Sequence, residues 1–351
     1  AQCLVGSEMC IRDRVRMNPK MKDIASRANV SVSTVSKIIN KETKNFRKET
    51  VDRVQKIIKE MGYAPNIVAR SMVTKKTGLI GLILPDISNL YFAEMAKGIE
   101  IALRHMEYNM ILCNCNDSDE REKAYIDIMR QKCVDGIILI PVLSSSVDIT
   151  YTTILKGIPF VILDRIFSKE NTQIDSVSFD NILGGYIAVK HLTDYGHKKI
   201  GCVTGPLLNK SAHDRFIGFK NALAQASIPF QSELICQADY KYQGGYKATH
   251  KLLKNNITAL VVQNDLMACG AYRAAQEMGI EIPNQLNVIG YDDTDYTQIL
   301  FPTLTSVLQP NQKMGEAAAK MLVHKIQKSD YQNKIVFKPL LVVRESTCAV
   351  V

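Results

Sequence analysis

Long hydrophobic runs are missing from this sequence. A transmembrane helix needs about 20 consecutive apolar residues, and the longest apolar candidate, residues 136–143, is short enough to be one buried strand. We therefore exclude a membrane protein. Hydrophobic residues make up 46% and charged residues 23% of the 351 residues, which indicates a folded globular chain of about two or three domains.

Metal-binding cysteine patterns are also absent. The nine cysteines include no CxxC pair and no CxxC…HxxxH spacing, so the sequence favours neither a zinc site nor a disulfide framework. The one close pair, Cys113 and Cys115, lies in a strand-like run, where alternate side chains point to opposite faces. We expect reduced thiols in a cytoplasmic protein that binds no metal.

Catalytic and nucleotide-binding motifs are missing as well. The sequence contains no GxGxxG after its first predicted strand, and no GxxxxGK[ST], GxSxG or HExxH. The six histidines are scattered without a nucleophile pattern beside them. The sequence therefore predicts a protein that is not an enzyme and has no cofactor.

Positive charge is concentrated at one end of the chain. Residues 1–76 contain 17 Lys and Arg against 7 Asp and Glu, whereas the remaining residues contain 27 against 28. A basic module on a neutral body indicates an anionic partner, either nucleic acid or a membrane surface. The alternative is a basic surface that is merely solvated. Residues 1–16 have no secondary-structure period, and we treat them as a leader of unknown, non-native origin.

The basic segment, residues 17–62, has the pattern of a helix-turn-helix headpiece. Apolar residues recur at helical spacing over residues 21–28, after Ser31, and from about Arg47 to Met61. Asn29 suits a tight turn, Ser31 is a good N-cap and Gly62 ends the third helix. The second helix of such a unit fits the major groove of DNA. The alternative is an ordinary helical bundle, but the local positive charge favours DNA binding.

The join to the body spans residues 63–76. Asn66 can cap a short helix whose apolar residues are Ile67, Val68 and Met72. A helix of this length is not stable alone. We interpret the segment as a hinge helix that needs a second chain or DNA, the alternative being a plain linker.

The body, residues 77–346, alternates strands and helices. Strands are predicted at 79–84, 109–114, 136–140, 159–163, 199–203, 258–262 and 286–290. Helices are predicted near 90–106, 119–131, 181–196, 211–227, 241–255, 264–278 and 310–328. This α/β rhythm predicts parallel sheets covered on both faces, arranged as two doubly wound lobes.

Polar and aromatic residues recur where these strands end. They include the loop at residues 85–89, the pair Asp164 and Arg165, the pair Asn264 and Asp265, and residues 291–293. Ligands of open α/β sheets bind at the carboxyl ends of the strands. Carboxylates, amides and guanidinium groups beside aromatic rings suit a polyhydroxyl ligand. Each residue alone is better explained as a cap or turn former, but their joint occurrence at the same end of successive strands favours a ligand site.

These motifs together resemble the LacI-type family of bacterial transcription regulators, named after the lactose and galactose repressors. The resemblance is carried by the motifs at residues 21–25, 30–40, 62–66, 85–89, 134–137 and 290–294 and covers about residues 20–346. It implies a homodimer that reads a palindromic DNA operator, and a core similar to periplasmic ribose-binding proteins. The lobes are then expected at about 77–178 with 308–336, and at about 179–307 with 337–346. The chain has no tetramerising heptad after the core.

The resemblance also implies roles in DNA binding. Base-reading positions fall on Val32, Ser33 and Lys37, where most relatives have arginine in place of Lys37, so base preference differs there. Phosphate-contacting or capping positions fall on Ser31, Thr34, Asn40 and Asn66. The hinge helix that enters the minor groove brings Ala69 and Met72, with Met72 in place of the usual leucine wedge.

Effector contacts are implied in the same way. From one lobe and the cleft rim they are Ser88, Tyr91, Phe92, Asp164 and Arg165. From the other lobe they are Arg215, Tyr240, Asn264, Asp292 and Gln309. The combination of Asp164 and Arg165 with Arg215 and Asp292 is similar to the ribose-binding pattern. This similarity favours a pentose as the effector and argues against membership of the catabolite control branch of the family.

The predicted function is therefore an operator-binding regulator, expected to be a repressor, switched allosterically by a small sugar. Two alternatives are a periplasmic sugar-binding protein, which needs a secretion signal and no basic headpiece, and a carbohydrate-active enzyme, which needs a positioned acid/base pair.

Overall fold

The computed structural model describes residues 19–40, 42–63, 76–142, 153–165 and 174–350. The chain divides into two compact units, Ala1–Thr77 and Gly78–Val351. The first unit contains the helices of the basic segment, and the second contains the alternating strands and helices. No helix within the described ranges is both long and apolar enough to cross a bilayer.

The first unit is built from three helices, α1 at Met21–Ala28, α2 at Val32–Ile39 and α3 at Lys48–Met61. Asn29 ends α1 with φ 53° and Gly62 ends α3 with φ 60°, both in the left-handed region that terminates helices. The Ser31 hydroxyl accepts a hydrogen bond of 3.1 Å from the Thr34 amide and caps α2. The buried apolar residues that hold the three helices together are Ile24, Ala25, Ala28, Val35, Ile38, Val54 and Ile57. The predicted helix-turn-helix is confirmed.

The second unit contains two six-stranded sheets. The first sheet has the order β11-β5-β4-β3-β1-β2 and all of its strand pairs are parallel. Its strands are β1 Leu79–Leu84, β2 Asn109–Asn114, β3 Gly136–Leu139, β4 Phe160–Leu163, β5 Ser176–Phe179 and β11 Lys334–Phe337. We call this sheet with its helices lobe 1.

The second sheet has the order β12-β10-β9-β8-β6-β7, and only β12 runs antiparallel to its neighbour β10. Its strands are β6 Ile200–Thr204, β7 Ile235–Gln237, β8 Ala259–Val262, β9 Asn287–Asp292, β10 Thr305–Leu308 and β12 Leu340–Val342. We call this sheet with its helices lobe 2. The prediction of two doubly wound lobes is confirmed.

Eight helices of the second unit are described: α4 Leu90–His105, α5 Asp119–Gln131, α6 Asn181–Asp194, α7 Lys210–Gln225, α8 Tyr242–Leu253, α9 Asp265–Glu277, α10 Tyr296–Ile299 and α11 Asn311–Gln327. Helices α6 and α7 approach so closely that a Cβ atom on Gly185 would overlap the Arg215 carbonyl group. Glycine at this position therefore lets α7 lie against α6, with Arg215 at the point of contact.

The chain passes between the lobes three times. Strand β5 belongs to lobe 1 and β6 to lobe 2; β10 belongs to lobe 2 and β11 to lobe 1; β12 returns to lobe 2. The crossings therefore follow Phe179, Leu308 and Phe337.

The sequence prediction missed five of these strands, β5, β7, β10, β11 and β12. Each has only three or four residues, and all but β12 contain a polar residue. The equally short β3, β4 and β8 were predicted because they are wholly apolar runs. In β5 the two serines, Ser176 and Ser178, are buried, so polar residues occupy positions where a hydrophobic pattern was expected.

Candidate functional site

A cavity of about 310 Å³ lies where strands from both lobes end. Ten effector contacts were predicted, and nine of them line it: Ser88, Tyr91, Phe92, Asp164, Arg165, Arg215, Tyr240, Asn264 and Asp292. The cavity follows from the topology, because loops after parallel strands share one edge of each sheet. Gln309 is not among the lining residues, and its side chain lies in the hydrogen-bond network beside the cavity.

A buried network joins the two lobes at this cavity. The Tyr91 hydroxyl donates to Asp164 at 2.6 Å and lies 3.3 Å from the Gln309 side-chain oxygen. The Gln309 amide donates to Asp292 at 2.7 Å. Gln309 therefore connects a tyrosine of lobe 1 with a carboxylate of lobe 2, across the second chain crossing.

Arg215 is buried, and two of its three nitrogen atoms donate hydrogen bonds to protein groups. Its Nε donates to Asn181 at 2.8 Å and its terminal nitrogen donates to the Gln263 carbonyl at 2.5 Å. The same terminal nitrogen lies 3.7 Å from Asp292, and the guanidinium lies 3.8 Å from the centre of the Tyr291 ring. This arrangement compensates a charge that would be costly to bury alone.

Arg165 lines the lobe 1 side of the cavity and is held there by backbone carbonyl groups. It donates from one terminal nitrogen to the carbonyl groups of Pro141 and Val142, at 3.0 and 2.6 Å. Its guanidinium lies 5.5 Å from the centre of the Phe92 ring. Its Nε atom is buried without a hydrogen-bond partner among the described residues.

Burial changes the acid–base behaviour of the site. It raises the pKa of Asp292 well above its usual value, and the Arg215 guanidinium opposes that rise. Burial also raises the pKa of the Tyr91 phenol, helped by the Asp164 carboxylate. Beneath the cavity, burial raises the pKa of Asp265 to about 7, although Thr294 and Ser306 donate hydrogen bonds to it.

Four lining residues hold unusual backbone conformations. Asp117, Asp164, Tyr240 and Asp292 have φ values of 57°, 69°, 63° and 102°, in a region that residues with a side chain rarely adopt. Such a conformation costs about 1–3 kcal/mol per residue and clusters at functional sites. The strain supports a functional interpretation of the cavity.

The cavity is also lined by residues that the sequence analysis did not name as contacts. They are Asp86, Asn89, Asp117, Ser211, Asp239, Lys241 and Leu266. An ion pair of 3.5 Å joins Asp117 of lobe 1 to Lys241 of lobe 2. Asp86 and Asn89 belong to the strand-end loop noted in the sequence, whereas Asp239 and Lys241 follow β7, which was not predicted.

The first unit presents a separate candidate surface on α2. Val32, Ser33, Lys37 and Asn40 are exposed, and Val32 is unusual because an apolar side chain there is 40% exposed. The side chains of Ser31 and Thr34 are hydrogen-bonded to each other at the N-terminal cap of α2, with 2.8 Å between their oxygen atoms. The predicted contacts Asn66, Ala69 and Met72 lie outside the described residues.

Among the described ranges, no group of three or more His, Cys, Asp or Glu side chains is arranged to hold a metal ion. The residues that line the cavity offer hydrogen-bonding groups, aromatic rings and charged groups.

Comparison with known proteins identifies the family to which the chain belongs. Residues 20–66 match the family described as bacterial regulatory proteins, lacI family, and residues 77–339 match periplasmic binding proteins and sugar binding domain of LacI family. Catabolite control protein A of Priestia megaterium is 36% identical over 326 residues, covering 92% of this chain and 97% of that protein.

Two solved structures are similar over most of their length. The lac repressor dimer bound to operator and the anti-inducer ONPF has a TM-score of 0.85 at 27% identity, covering 94% of this chain and 99% of that one. A LacI family regulator from Enterococcus faecium with bound ribose has a TM-score of 0.70 at 33% identity, covering 78% and 99%. The chain belongs to the LacI family of bacterial regulatory proteins, and its function is DNA-binding transcriptional regulation controlled by a small molecule rather than catalysis.

Proposed function

We propose that this protein is a repressor whose affinity for a palindromic operator is switched by a small sugar, a pentose or a related carbohydrate, bound between lobe 1 and lobe 2. The observation that carries the proposal is the combination of buried charged groups and aromatic rings around one cavity. Sugar hydroxyls both donate and accept hydrogen bonds, and ring faces cover their apolar sides.

The proposed contacts on the sugar come from both lobes. Lobe 1 contributes Ser88, Tyr91, Phe92, Asp164 and Arg165, and lobe 2 contributes Arg215, Tyr240, Asn264 and Asp292. Gln309 acts as a positioning residue, because it holds Asp292 without lining the cavity. The preference for a pentose is supported by the relative from Enterococcus faecium, which was solved with bound ribose.

The proposed DNA contacts lie on α2 and in the segment that follows α3. Val32, Ser33 and Lys37 are exposed on one helix that suits the major groove. Ser31, Thr34 and Asn40 flank them at the helix ends, where phosphate contacts are common. Asn66, Ala69 and Met72 are proposed as minor-groove contacts of a hinge helix within residues 63–76.

We propose a homodimer, acting in the cytoplasm on the chromosome. Lobe 2 exposes two large apolar side chains next to each other, Ile299 at 76% and Phe301 at 91%, and an apolar patch of this kind favours association. The lac repressor with which this chain shares its fold was solved as a dimer.

We propose the domain boundaries predicted from the sequence. The headpiece covers residues 17–62 and the hinge segment 63–76. Lobe 1 then covers about 77–178 and 308–336, and lobe 2 about 179–307 and 337–346. The chain crossings after Phe179, Leu308 and Phe337 lie within one residue of these lobe limits and support them.

The switch is proposed to work by differential affinity. Sugar binding favours one arrangement of the lobes, and the operator favours one arrangement of the hinge segment, so the two equilibria are coupled. Coupling is reciprocal: the factor by which sugar changes DNA affinity must equal the factor by which DNA changes sugar affinity.

The test uses the full chain and an operator selected by it from a random duplex pool. Fluorescence anisotropy should give DNA binding that weakens steeply as salt increases. A thermal-shift screen of uncharged pentoses and hexoses should identify the sugar, because a specific ligand raises the melting temperature. Calorimetric titration of that sugar should then give affinities that differ about 5- to 150-fold with and without operator. Equal affinities would refute the coupling, and absence of salt-sensitive DNA binding would refute the repressor.

A further inference from the structure

Asn181 is a buried asparagine at the place where the chain first crosses between the lobes. It is the first residue of α6 in lobe 2, and it follows Phe179, the last residue of β5 in lobe 1, by two positions. It does not line the cavity, and the sequence analysis did not name it. Because a buried carboxamide is costly without partners, its hydrogen bonds indicate which parts of the structure it connects.

The side-chain oxygen of Asn181 accepts two hydrogen bonds from the cavity side. Arg215 Nε donates at 2.8 Å and the Tyr291 hydroxyl donates at 3.3 Å. A terminal nitrogen of Arg215 donates to the Gln263 carbonyl, and the guanidinium lies 3.8 Å from the centre of the Tyr291 ring. Because the guanidinium is planar and rigid, these contacts also fix its second terminal nitrogen, which has no partner at the cavity among the described residues.

The elements around Asn181 are packed closely enough to fix its own position. A Cβ atom on Gly184 would overlap the Tyr291 hydroxyl, and one on Gly185 would overlap the Arg215 carbonyl group. The start of α6 is held as well, because the Leu183 amide donates to the Asp180 side chain at 2.9 Å. Asn181 therefore belongs to a rigid support for Arg215.

The side-chain nitrogen of Asn181 forms a hydrogen bond on the other side of the crossing. It donates to the Phe179 carbonyl at 3.3 Å. Asp180 alone separates the two residues in sequence, and its amide donates at 2.9 Å to the carbonyl of Phe337, where the third crossing begins. Rotation of one lobe against the other changes backbone dihedral angles at such crossings, so it changes the distance between the Asn181 side chain and the Phe179 carbonyl.

We propose that Asn181 is a positioning residue that fixes the Arg215 guanidinium at the cavity and ties it to the first crossing between the lobes. The proposal rests on the proposed function, since it assigns the residue that links the sugar site to the arrangement of the lobes. A sugar that binds Arg215 favours the backbone conformation of Asp180 in which Asn181 reaches both partners. Asn181 itself does not contact the sugar.

The first test needs no ligand and follows the Nε–H group of Arg215 by NMR in the full chain labelled with ¹⁵N-arginine. The signal is assigned by its loss in Arg215→Lys. Asn181→Leu removes both the acceptor for Arg215 and the donor to Phe179 at similar side-chain volume. Exchange of the Arg215 Nε–H with solvent should accelerate at least about tenfold in this variant. An unchanged exchange rate would overturn the proposal.

The matched control is Asn287→Leu, at the opposite end of β9 from Asp292. Asn287 is also buried, its oxygen accepts from the Cys348 amide at 2.7 Å, and its nitrogen donates to the Pro283 carbonyl at 3.0 Å. This variant should lose stability towards urea but leave the Arg215 signal as in the wild type. Equal acceleration in both leucine variants would show a general loosening of lobe 2 and would count against a positioning role.

The second test measures sugar affinity by calorimetry, with D-ribose and D-glucose as the probes, in the presence and absence of operator. Asn181→Leu should weaken binding of the sugar roughly 10- to 100-fold, and Asn287→Leu should not. Wild-type affinity in Asn181→Leu would overturn the positioning of Arg215 for the ligand, whatever the exchange rate.

Asn181→Asp separates the two halves of the proposal. The carboxylate keeps an acceptor for Arg215 but has no donor for the Phe179 carbonyl. The Arg215 Nε–H should therefore stay protected, while the ratio of sugar affinities with and without operator should move towards one, by roughly two- to tenfold. A wild-type ratio would refute the link to the crossing. If neither sugar binds the wild type, the proposed function fails, and the positioning of Arg215 is decided by the exchange rates of the two leucine variants.

Discussion

The hydroxyl of Tyr91 donates a hydrogen bond of 2.6 Å to the carboxylate of Asp164, and both groups are buried. This hydrogen bond holds the Asp164 carboxylate in place at the cavity. The pKa of the Tyr91 phenol is raised, mainly by burial and also by the Asp164 carboxylate. Tyr91 therefore stays protonated and donates a hydrogen bond to Asp164 throughout the neutral pH range.

Replacing Tyr91 with phenylalanine should weaken both folding and sugar binding. The change removes the donor to Asp164 and leaves a buried carboxylate oxygen without it, which costs about 1–3 kcal/mol. Urea unfolding of the second unit, followed by circular dichroism, measures the loss of stability, and calorimetry measures the loss of sugar affinity. Tyr296→Phe on α10, outside this network, is the control. Wild-type stability and affinity in Tyr91→Phe would contradict the role assigned to the bond.

The stability of the protein should decrease as pH rises from about 4 to about 7. Burial raises the pKa of Asp265 to about 7, against about 3.9 in an unfolded chain. The folded state therefore keeps a proton that the unfolded state has lost, and this contribution, present in full below about pH 4, is lost as pH approaches 7. The difference corresponds to roughly 4 kcal/mol.

Asp265→Asn isolates this effect, because an amide resembles the protonated acid and keeps one acceptor for Ser306 or Thr294. Melting temperatures measured between pH 4 and 7 should fall less steeply in the variant than in the wild type. Asp292, whose pKa is also raised by burial, contributes a slope of the same sign in both proteins. Parallel curves for the two proteins would rule out Asp265 as the titrating group.

Removing Lys37 should reduce discrimination between operators. Its side chain is exposed on α2, and a contact with a base edge is worth about 1–3 kcal/mol of discrimination. Lys37→Ala should lower the ratio of affinities for selected and scrambled operator by roughly tenfold. Lys37→Arg should change the selected sequence instead, because arginine can bind guanine with two parallel hydrogen bonds. Lys48→Ala, at the start of α3, is the control, and an unaltered ratio in Lys37→Ala would count against base reading.

The ion pair between Asp117 and Lys241 should make a small, salt-sensitive contribution to sugar affinity. It bridges the lobes at 3.5 Å, but the side chains are 43% and 56% exposed, so we expect about 0.2–1 kcal/mol. Asp117→Asn should weaken sugar binding by a factor of about two to five at low salt and by less at high salt. The charge-swapped double variant Asp117→Lys with Lys241→Asp should recover the affinity. Failure of the swap to recover it would mean that the pair does not act across the cleft.

The sequence was sufficient to predict the lobes and most of the cavity lining. Strand ends can be recognised from hydrophobic runs, and parallel topology brings their loops together, which is why Asp164, Arg165 and Asp292 were expected at one site. Sequence cannot show which way a side chain points once it arrives there. Gln309 was predicted as an effector contact from its position in the sequence, and only the structure shows that its amide donates a hydrogen bond to Asp292 beside the cavity.

Other features depend on distances that no local pattern encodes. Lys241 is separated from Asp117 by more than a hundred residues, and their approach requires the fold of both lobes. The two hydrogen bonds from Arg165 to backbone carbonyl groups are equally invisible in a sequence. Short polar strands such as β5 were missed because burial of Ser176 and Ser178 is decided by tertiary packing.

The three crossings of the chain between the lobes have a consequence for gene rearrangement. Neither lobe is encoded by one continuous stretch, so no single cut within the core yields a complete lobe, and a recombination event there would divide both at once. The three helices of the headpiece, by contrast, are contiguous in sequence. Recombination can therefore exchange the DNA-reading head as a cassette, whereas the ligand sensor must be inherited whole.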